Sequence, residues 1–239
     1  MKAGPTTFSG FSRDAIQFLV ELTENNTRAW FQPRKAAYER LLKEPMEQLC
    51  VALAERFEGR AIPLRADPKR SPFRIYRDTR FSRNKDPYKT HVAASFPWIE
   101  AAPDGAAGPV DEGAHGNGGY FNFQPGEMYV GGGMWMPHRP LVEAFRATVR
   151  DDPERVRDAL EEPGFVACFG GVRSHEELKR VPPGYPVDHP LADMFRWKDV
   201  VFGRRLADEE VLSPALPDVL ADGFAASAPV LRFLATLRG

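Results

Sequence analysis

Gly119-Tyr120-Phe121-Asn122-Phe123-Gln124, Pro125-Gly126-Glu127 and Met128-Tyr129-Val130-Gly131 are the stretch whose reading decides the fold. Two short runs rich in aromatic and branched residues flank a Pro-Gly turn, the pattern of an antiparallel hairpin. Gly131-Gly132-Gly133 follows, as a bulge or a place where another backbone comes close. Upstream, Val92, Ala94 and Phe96 alternate like a half-buried strand within 90–98. Downstream, 200–206 reads as a further strand, and 165–172, short, apolar and flanked by glycines, as a strand or loop. Residues 101–118, rich in Gly, Ala, Pro and Asp, read as a flexible loop.

Helical patterns lie on both sides of this central run. Ser12 is a good N-cap, and Ile16, Leu19, Val20 and Leu22 follow at helical spacing before Asn25-Asn26, with Phe8 and Phe11 folding back on them. Thr27 caps a second region. Pro33 and Pro45 divide it into helices over about 33–44 and 45–58, closed by Gly59. Further helices are expected over 137–150, 153–160, 191–197, 208–213 and 216–237, several opened by proline. Helices at both ends of a strand-rich centre predict an α+β fold: an antiparallel central sheet, an N-terminal helical layer and C-terminal helices. The expectation is a single domain over 1–239, with the helical layer at 8–60, a cationic motif and the sheet at 69–135, and a mixed part at 137–239.

The chain has 239 residues, 43% hydrophobic and 27% charged, with a net charge of -1. That balance argues against a protein that coats nucleic acid or a membrane surface, so nucleic acid is not expected as a general partner. Cys50 and Cys168 stand alone, without a ligand neighbour at metal spacing, and read as reduced. There is no signal-like N-terminal segment and no apolar run judged long enough for a membrane, so a cytoplasmic protein is expected.

The charge is not evenly spread. Residues 69–89 hold eight Lys or Arg against two Asp, a surplus of six. Repulsion in such a segment must be relieved by the protein's own carboxylates or by an anion from outside. Extended, Arg74, Tyr76, Asp78 and Arg80 would share one face; helical, Arg74, Arg77 and Asp78 would cluster. Either geometry sets guanidinium groups beside Asp78, holding it ionised as an orienting group and not a proton shuttle. Arginine forks suit phosphate or carboxylate, Lys85 adds a point charge, and Tyr88 adds a hydrogen bond or a ring. A phosphate- or carboxylate-bearing small molecule or nucleotide is the ligand class that follows. The competing reading is a non-enzymatic scaffold or interaction protein in which the motif is an ion-pair network with acids of the helical layer.

The order Arg74, Arg77, Asp78, Arg80, Phe81, Lys85, Tyr88 fits R-x-x-R-D-x-R-F-x-x-x-K-x-x-Y and resembles a bacterial and fungal family known as domain of unknown function 2461. The likeness continues through 26–31, 87–91, 119–121, 131–135 and 183–190. It implies a protein of about this length and brings no activity with it. Arg83-Asn84-Lys85 departs from the D-K or N-K of relatives by an added cation, and 101–118 is longer than is usual there.

Arginines supply electrostatics but no nucleophile. Among His91, His138 and His189, Asp188-His189 is the pair that could serve as an oriented base if the fold brought it to the arginines. No H-x-H or H-x-x-x-H spacing occurs, so no metal or other cofactor is called for. The triple glycine is not followed by Lys-Ser/Thr, which excludes a P-loop, and no G-x-S-x-G elbow is present. Tyr120, Asn122 and Tyr129 are either core or a stacking platform on one sheet face.

Overall fold

The hairpin grows into a four-stranded sheet in a computed structural model that describes residues 7–99 and 116–237. β1 (Val92–Pro97), β2 (Asn117–Phe123), β3 (Tyr129–Met134) and β4 (Val200–Arg205) lie in the order β1-β2-β3-β4, each pair antiparallel. The register sets Phe121 opposite Ala94 and Val130, and Gly132 opposite Phe202, which makes one sheet face apolar. β2 opens at Asn117, two residues before the expected start, so 117–118 belong to the sheet and not to the expected loop. The rest of that loop, 101–115, lies outside the described residues.

α1 (Arg13–Glu24) starts at Ser12, whose hydroxyl accepts the Ala15 N–H. Phe8 and Phe11 are buried, and Phe11 stacks on Phe123 with ring centres 4.5 Å apart, so this segment folds onto the sheet as well as the helix. α2 (Arg28–Phe31) is capped by Thr27. The expected pair of helices over 33–44 and 45–58 is instead one interrupted rod: a 3-10 turn at Gln32–Arg34, α3 (Lys35–Tyr38), a π turn at Glu39–Lys43 and α4 (Glu44–Gly59). Pro45 has no N–H to give the Leu41 carbonyl, and the ladder slips just before it: the Glu44 N–H reaches back five residues to Glu39.

α5 (Arg139–Asp151) and α6 (Pro153–Leu160) carry proline in the first turn. Of the segment at 165–172, residues 170–172 are loop, as one of the two expectations had it, but 165–169 are helical. They belong to α7 (Pro163–Phe169), opened by the Glu162 carboxylate on the Phe165 N–H and closed by Gly170 at φ 73°. Burial of Phe165 and Phe169 against Phe202 decides its state, because a run this short carries no clear periodicity. Residues Ala192–Arg196 form a 3-10 turn, and α8 (Asp208–Leu212) and α9 (Leu216–Thr236) finish the chain.

α9 meets the length and composition of a membrane-crossing helix, where the sequence reading expected no such run. Here it is a core helix, half buried, with Leu220, Phe224 and Leu231 fully enclosed. Phe224 meets Phe57 of α4 and Phe96 of β1 edge-on at 5.7 and 5.3 Å. Arg56 of α4 and Arg60 at its C-cap bind Asp218 of α9 at 2.9 and 3.0 Å.

Glycine on the sheet is required where space runs out. A Cβ on Gly119 would enter the Phe224 ring, and Gly133 holds φ at 116° with its missing Cβ directed at the Val200 carbonyl. Gly133→Ala is expected to cost about 1–3 kcal/mol from backbone strain alone, read as a lower midpoint in urea. An unchanged midpoint would show that the sheet relaxes there freely.

Candidate functional site

The cationic motif is an arm. Ile75, Tyr76 and Arg77 run antiparallel to 87–89: the Lys89 N–H donates to the Ile75 carbonyl at 2.8 Å and the Arg77 N–H to the Pro87 carbonyl at 3.0 Å. Tyr76 sits opposite Tyr88, and their rings are 5.5 Å apart. The extended geometry ends there, and at Asp78 the chain turns. The Asp78 carboxylate accepts the Arg80 N–H at 3.1 Å and holds the Arg80 guanidinium at 2.7 Å. Farther round, the Lys85 ammonium donates to the Thr79 carbonyl at 2.9 Å and the Asp86 N–H to the Asn84 side chain at 2.8 Å.

Asn26 docks this arm on the helical layer. Its amide donates to the Tyr88 carbonyl at 2.9 Å, and its oxygen accepts the Tyr88 N–H at 3.0 Å. The Tyr88 ring, 1% exposed, stacks on Phe31 with centres 4.0 Å apart. Tyr88 is thus an anchor for the arm. Sequence reasoning saw Asn26 only as the end of a helix and as part of a family likeness.

The arm's charges divide into two groups. Arg80 and Asp78 form a solvent-exposed pair; Asp78 is depressed to about 2, chiefly by the Arg80 guanidinium, then by the Arg80 N–H, with a small contribution from Arg74. Arg74 and Arg77 have no carboxylate partner among the described residues, and the Arg77 guanidinium donates to the Asp86 carbonyl at 3.2 Å. None of the arm's described ion pairs reaches an acid of the helical layer.

Beside the stem is a cleft of about 200 Å³ lined by Arg77, Asn84, Asp86, Lys89, Thr90 and His91 with the Asn26–Tyr88 pair. Lys89, only 8% exposed, lies with its ammonium 5.3 Å from the centre of the Phe73 ring. Burial, then Arg74, bring it down to about 8. Burial and Lys89 also lower His91, against the opposing pull of Glu127. Lys89 was missed as a site residue because it lies one position past the motif. Its signal was a cation at the mouth of an otherwise apolar strand.

The second constellation lies elsewhere. His189 accepts the Leu191 N–H on Nδ1 at 3.1 Å and rests on Phe195 at 5.1 Å, and Asp188 is exposed. The hydrogen bonds and ring contact of His189 are with residues 191–195, and among the described residues none of these joins Asp188-His189 to the arginines. His138 stands at the N-cap of α5. Tyr120 and Tyr129 pack at 5.6 Å, Tyr120 also against Phe73 at 6.0 Å, and burial raises both phenols, so this face is a half-buried layer. Among the described residues no three His, Cys, Asp or Glu side chains are grouped to hold a metal. A larger apolar groove of about 590 Å³, lined by Phe57, Ile62, Leu64 and Ile99, shares no residue with the arm.

An α+β protein carrying a docked cationic arm is thus the class that the fold and site define. The family described as "Conserved hypothetical protein (DUF2461)" matches residues 14–233, nearly the whole length, and the chain belongs to it. No curated protein and no solved structure matches.

Two outcomes follow. Asn26→Ala leaves the polar groups of Tyr88 unpaired beneath the arm and is expected to cost about 1–3 kcal/mol, measured by urea unfolding; no loss would mean that the Tyr88–Phe31 stack alone holds the arm. Lys89 has a folded value near 8, against 10.5 ordinarily, so the folded state bears the cost of its charge below pH 8 and sheds it by pH 10.5. The advantage in Tm of Lys89→Met over wild type should therefore shrink between pH 8 and 10.5, and a constant difference would show that Lys89 keeps its ordinary affinity for the proton.

Proposed function

We propose that the cleft beside the arm binds the phosphate or carboxylate group of a small molecule. The observation that carries this reading is Arg77: a half-buried guanidinium on the wall of a cleft, with no carboxylate partner among the described residues and a buried lysine beside it. A guanidinium whose in-plane donors are not used by a carboxylate is a ready fork for an oxyanion. Asn84 and Thr90 add hydrogen-bonding groups on the same wall.

Size narrows the ligand. Sites that enclose a drug-sized molecule span about 300–1,000 Å³. A cleft of about 200 Å³ takes a charged headgroup and leaves the rest of a sugar phosphate or nucleotide outside. Charge narrows it further. A carboxylate, Asp86, lines the same cleft as Arg77 and Lys89, and Arg74 is close enough to Lys89 to be felt. That suits a single phosphate or carboxylate better than a dense polyphosphate. The roles of Arg80 and Lys85 move to the arm's own loop, where Asp78 orients Arg80 and the Thr79 carbonyl holds Lys85. The proposal is one of binding, since the groups on the wall supply charge and hydrogen bonds without an oriented nucleophile and base.

Thermal unfolding against phosphate, sulfate, carboxylates, sugar phosphates and nucleotides tests it. A ligand at a hundred times its Kd stabilises the native state by about 2.7 kcal/mol. Arg77→Ala should abolish that shift and leave the unliganded Tm nearly unchanged. If no anion shifts the Tm and Arg77→Ala costs about 3 kcal/mol or more, the guanidinium is an internal structural partner and the scaffold reading replaces this one.

A further inference from the structure

The arm does not stand alone as a basic element. The Asn26–Tyr88 hydrogen bonds and the Phe31–Tyr88 stack bring residues 26–34 against its stem. That segment adds Arg28 and Arg34 and no acid, so with the surplus of six in 69–89 the two segments carry eight net positive charges, leaving -9 on the rest of a chain whose total is -1. Composition excludes a coat of positive charge over the whole surface. The fold instead joins these two basic segments at Tyr88.

Aromatic rings are interleaved with these cations. Phe81, at the outer end of the arm, is 95% exposed, and Tyr76 on the stem is 45% exposed. The Arg80 guanidinium lies 5.9 Å from the Phe81 ring centre, and the Arg34 guanidinium lies 4.6 Å from that of Trp30. Arg28, Arg34 and Arg83 are exposed and have no carboxylate partner among the described residues. Lys85 is exposed, and the neutral Thr79 carbonyl that holds it leaves its charge in place.

We propose that this face, outside the cleft, binds single-stranded nucleic acid. The backbone phosphates would meet Arg28, Arg34, Arg83 and Lys85, and an unpaired base would stack on Phe81. A phenylalanine almost wholly in water, set among cations, matches a partner that offers flat apolar surfaces and negative charge at short intervals, which single strands do and duplexes, with their bases stacked away, do not. An anionic bilayer would draw on several apolar side chains gathered at one tip. Here the outer end has Phe81 alone, and Tyr76 is back on the stem beside Arg77.

Fluorescence anisotropy of the full chain with a labelled single strand of roughly 12 nucleotides tests the proposal. If about four phosphates are contacted, affinity should fall roughly sevenfold between about 50 and 100 mM salt. Phe81→Ala should weaken binding by roughly tenfold at an unchanged salt slope, whereas Arg34→Ala should flatten the slope by about 0.7. Both side chains are exposed, and a wild-type Tm for each variant confirms that the fold is kept. Absence of strand binding overturns the proposal. So does binding that Phe81→Ala leaves untouched, which reduces the face to plain charge attraction, or sedimentation with phosphatidylserine vesicles without binding to the strand, which makes the partner a membrane. Arg77→Ala separates this surface from the cleft. If it removes the phosphate-induced Tm shift and strand binding persists, both readings stand; if phosphate gives no shift and the strand still binds, only the cleft reading falls.

Discussion

A single asparagine side chain pairing with both polar groups of one peptide backbone is the constraint on which the rest of this molecule's chemistry depends. Two-stranded ribbons are marginal on their own in water. The stem at 75–77 and 87–89 is such a ribbon, and it carries Arg74, Arg77 and Lys89 within reach of one another. Asn26 satisfies the Tyr88 N–H and carbonyl that would otherwise be buried without a partner, and the Tyr88 ring then closes on Phe31. Fixing that one residue fixes the Arg77 side of the cleft relative to Lys89 and His91, and sets 26–34 beside the arm.

Lys89 shows what the arrangement costs. Exposed cations on the arm are screened by water and salt, and their mutual repulsion is small. Lys89 is nearly buried three residues ahead of β1, and its lowered proton affinity records the expense of charging it there beside Arg74. Expense of this kind gathers where groups are placed for a ligand, because an arriving anion removes part of the penalty. Asp86, in the lining of the same cleft, offsets part of that positive charge.

How much of this the sequence revealed depends on whether a signal was local. The hairpin at 119–131, the caps at Ser12 and Thr27 and the proline that opens α6 are local, and they appear in the structure. The helix at Pro163–Phe169 was hidden because the five residues between Gly164 and Gly170 have no period to show, and its state is decided by Phe202 on β4. α9 was missed as a continuous apolar run because Asp218, Asp222 and two prolines interrupt a helix whose remaining length is apolar. In the site, the cluster of arginines was plain, but Asn26 was not, since its partner is a backbone sixty-two positions away that any residue type could supply. Lys89 and His91 were seen as the tail of a charge run and a lone histidine because burial, which gives both their character, is a property of the packed sheet.

Several acids that lie near cations of the helices are paired there and not with the arm. Glu39 and Glu47 face Lys35 and Lys43 one helical turn away at 3.8 and 3.9 Å, and Asp218 and Asp222 hold Arg56 and Arg60 across the α4–α9 contact. Pairs within one helix, or between two helices already packed, need little further ordering of the chain, whereas a carboxylate reaching a mobile cation on a projecting loop must order both. Nearby partners therefore win. The arm's own acids are Asp78 and Asp86; the first is consumed by Arg80 and the second sits in the cleft. The arm's surplus of cations over acids therefore stands beside helices whose described ion pairs close among themselves.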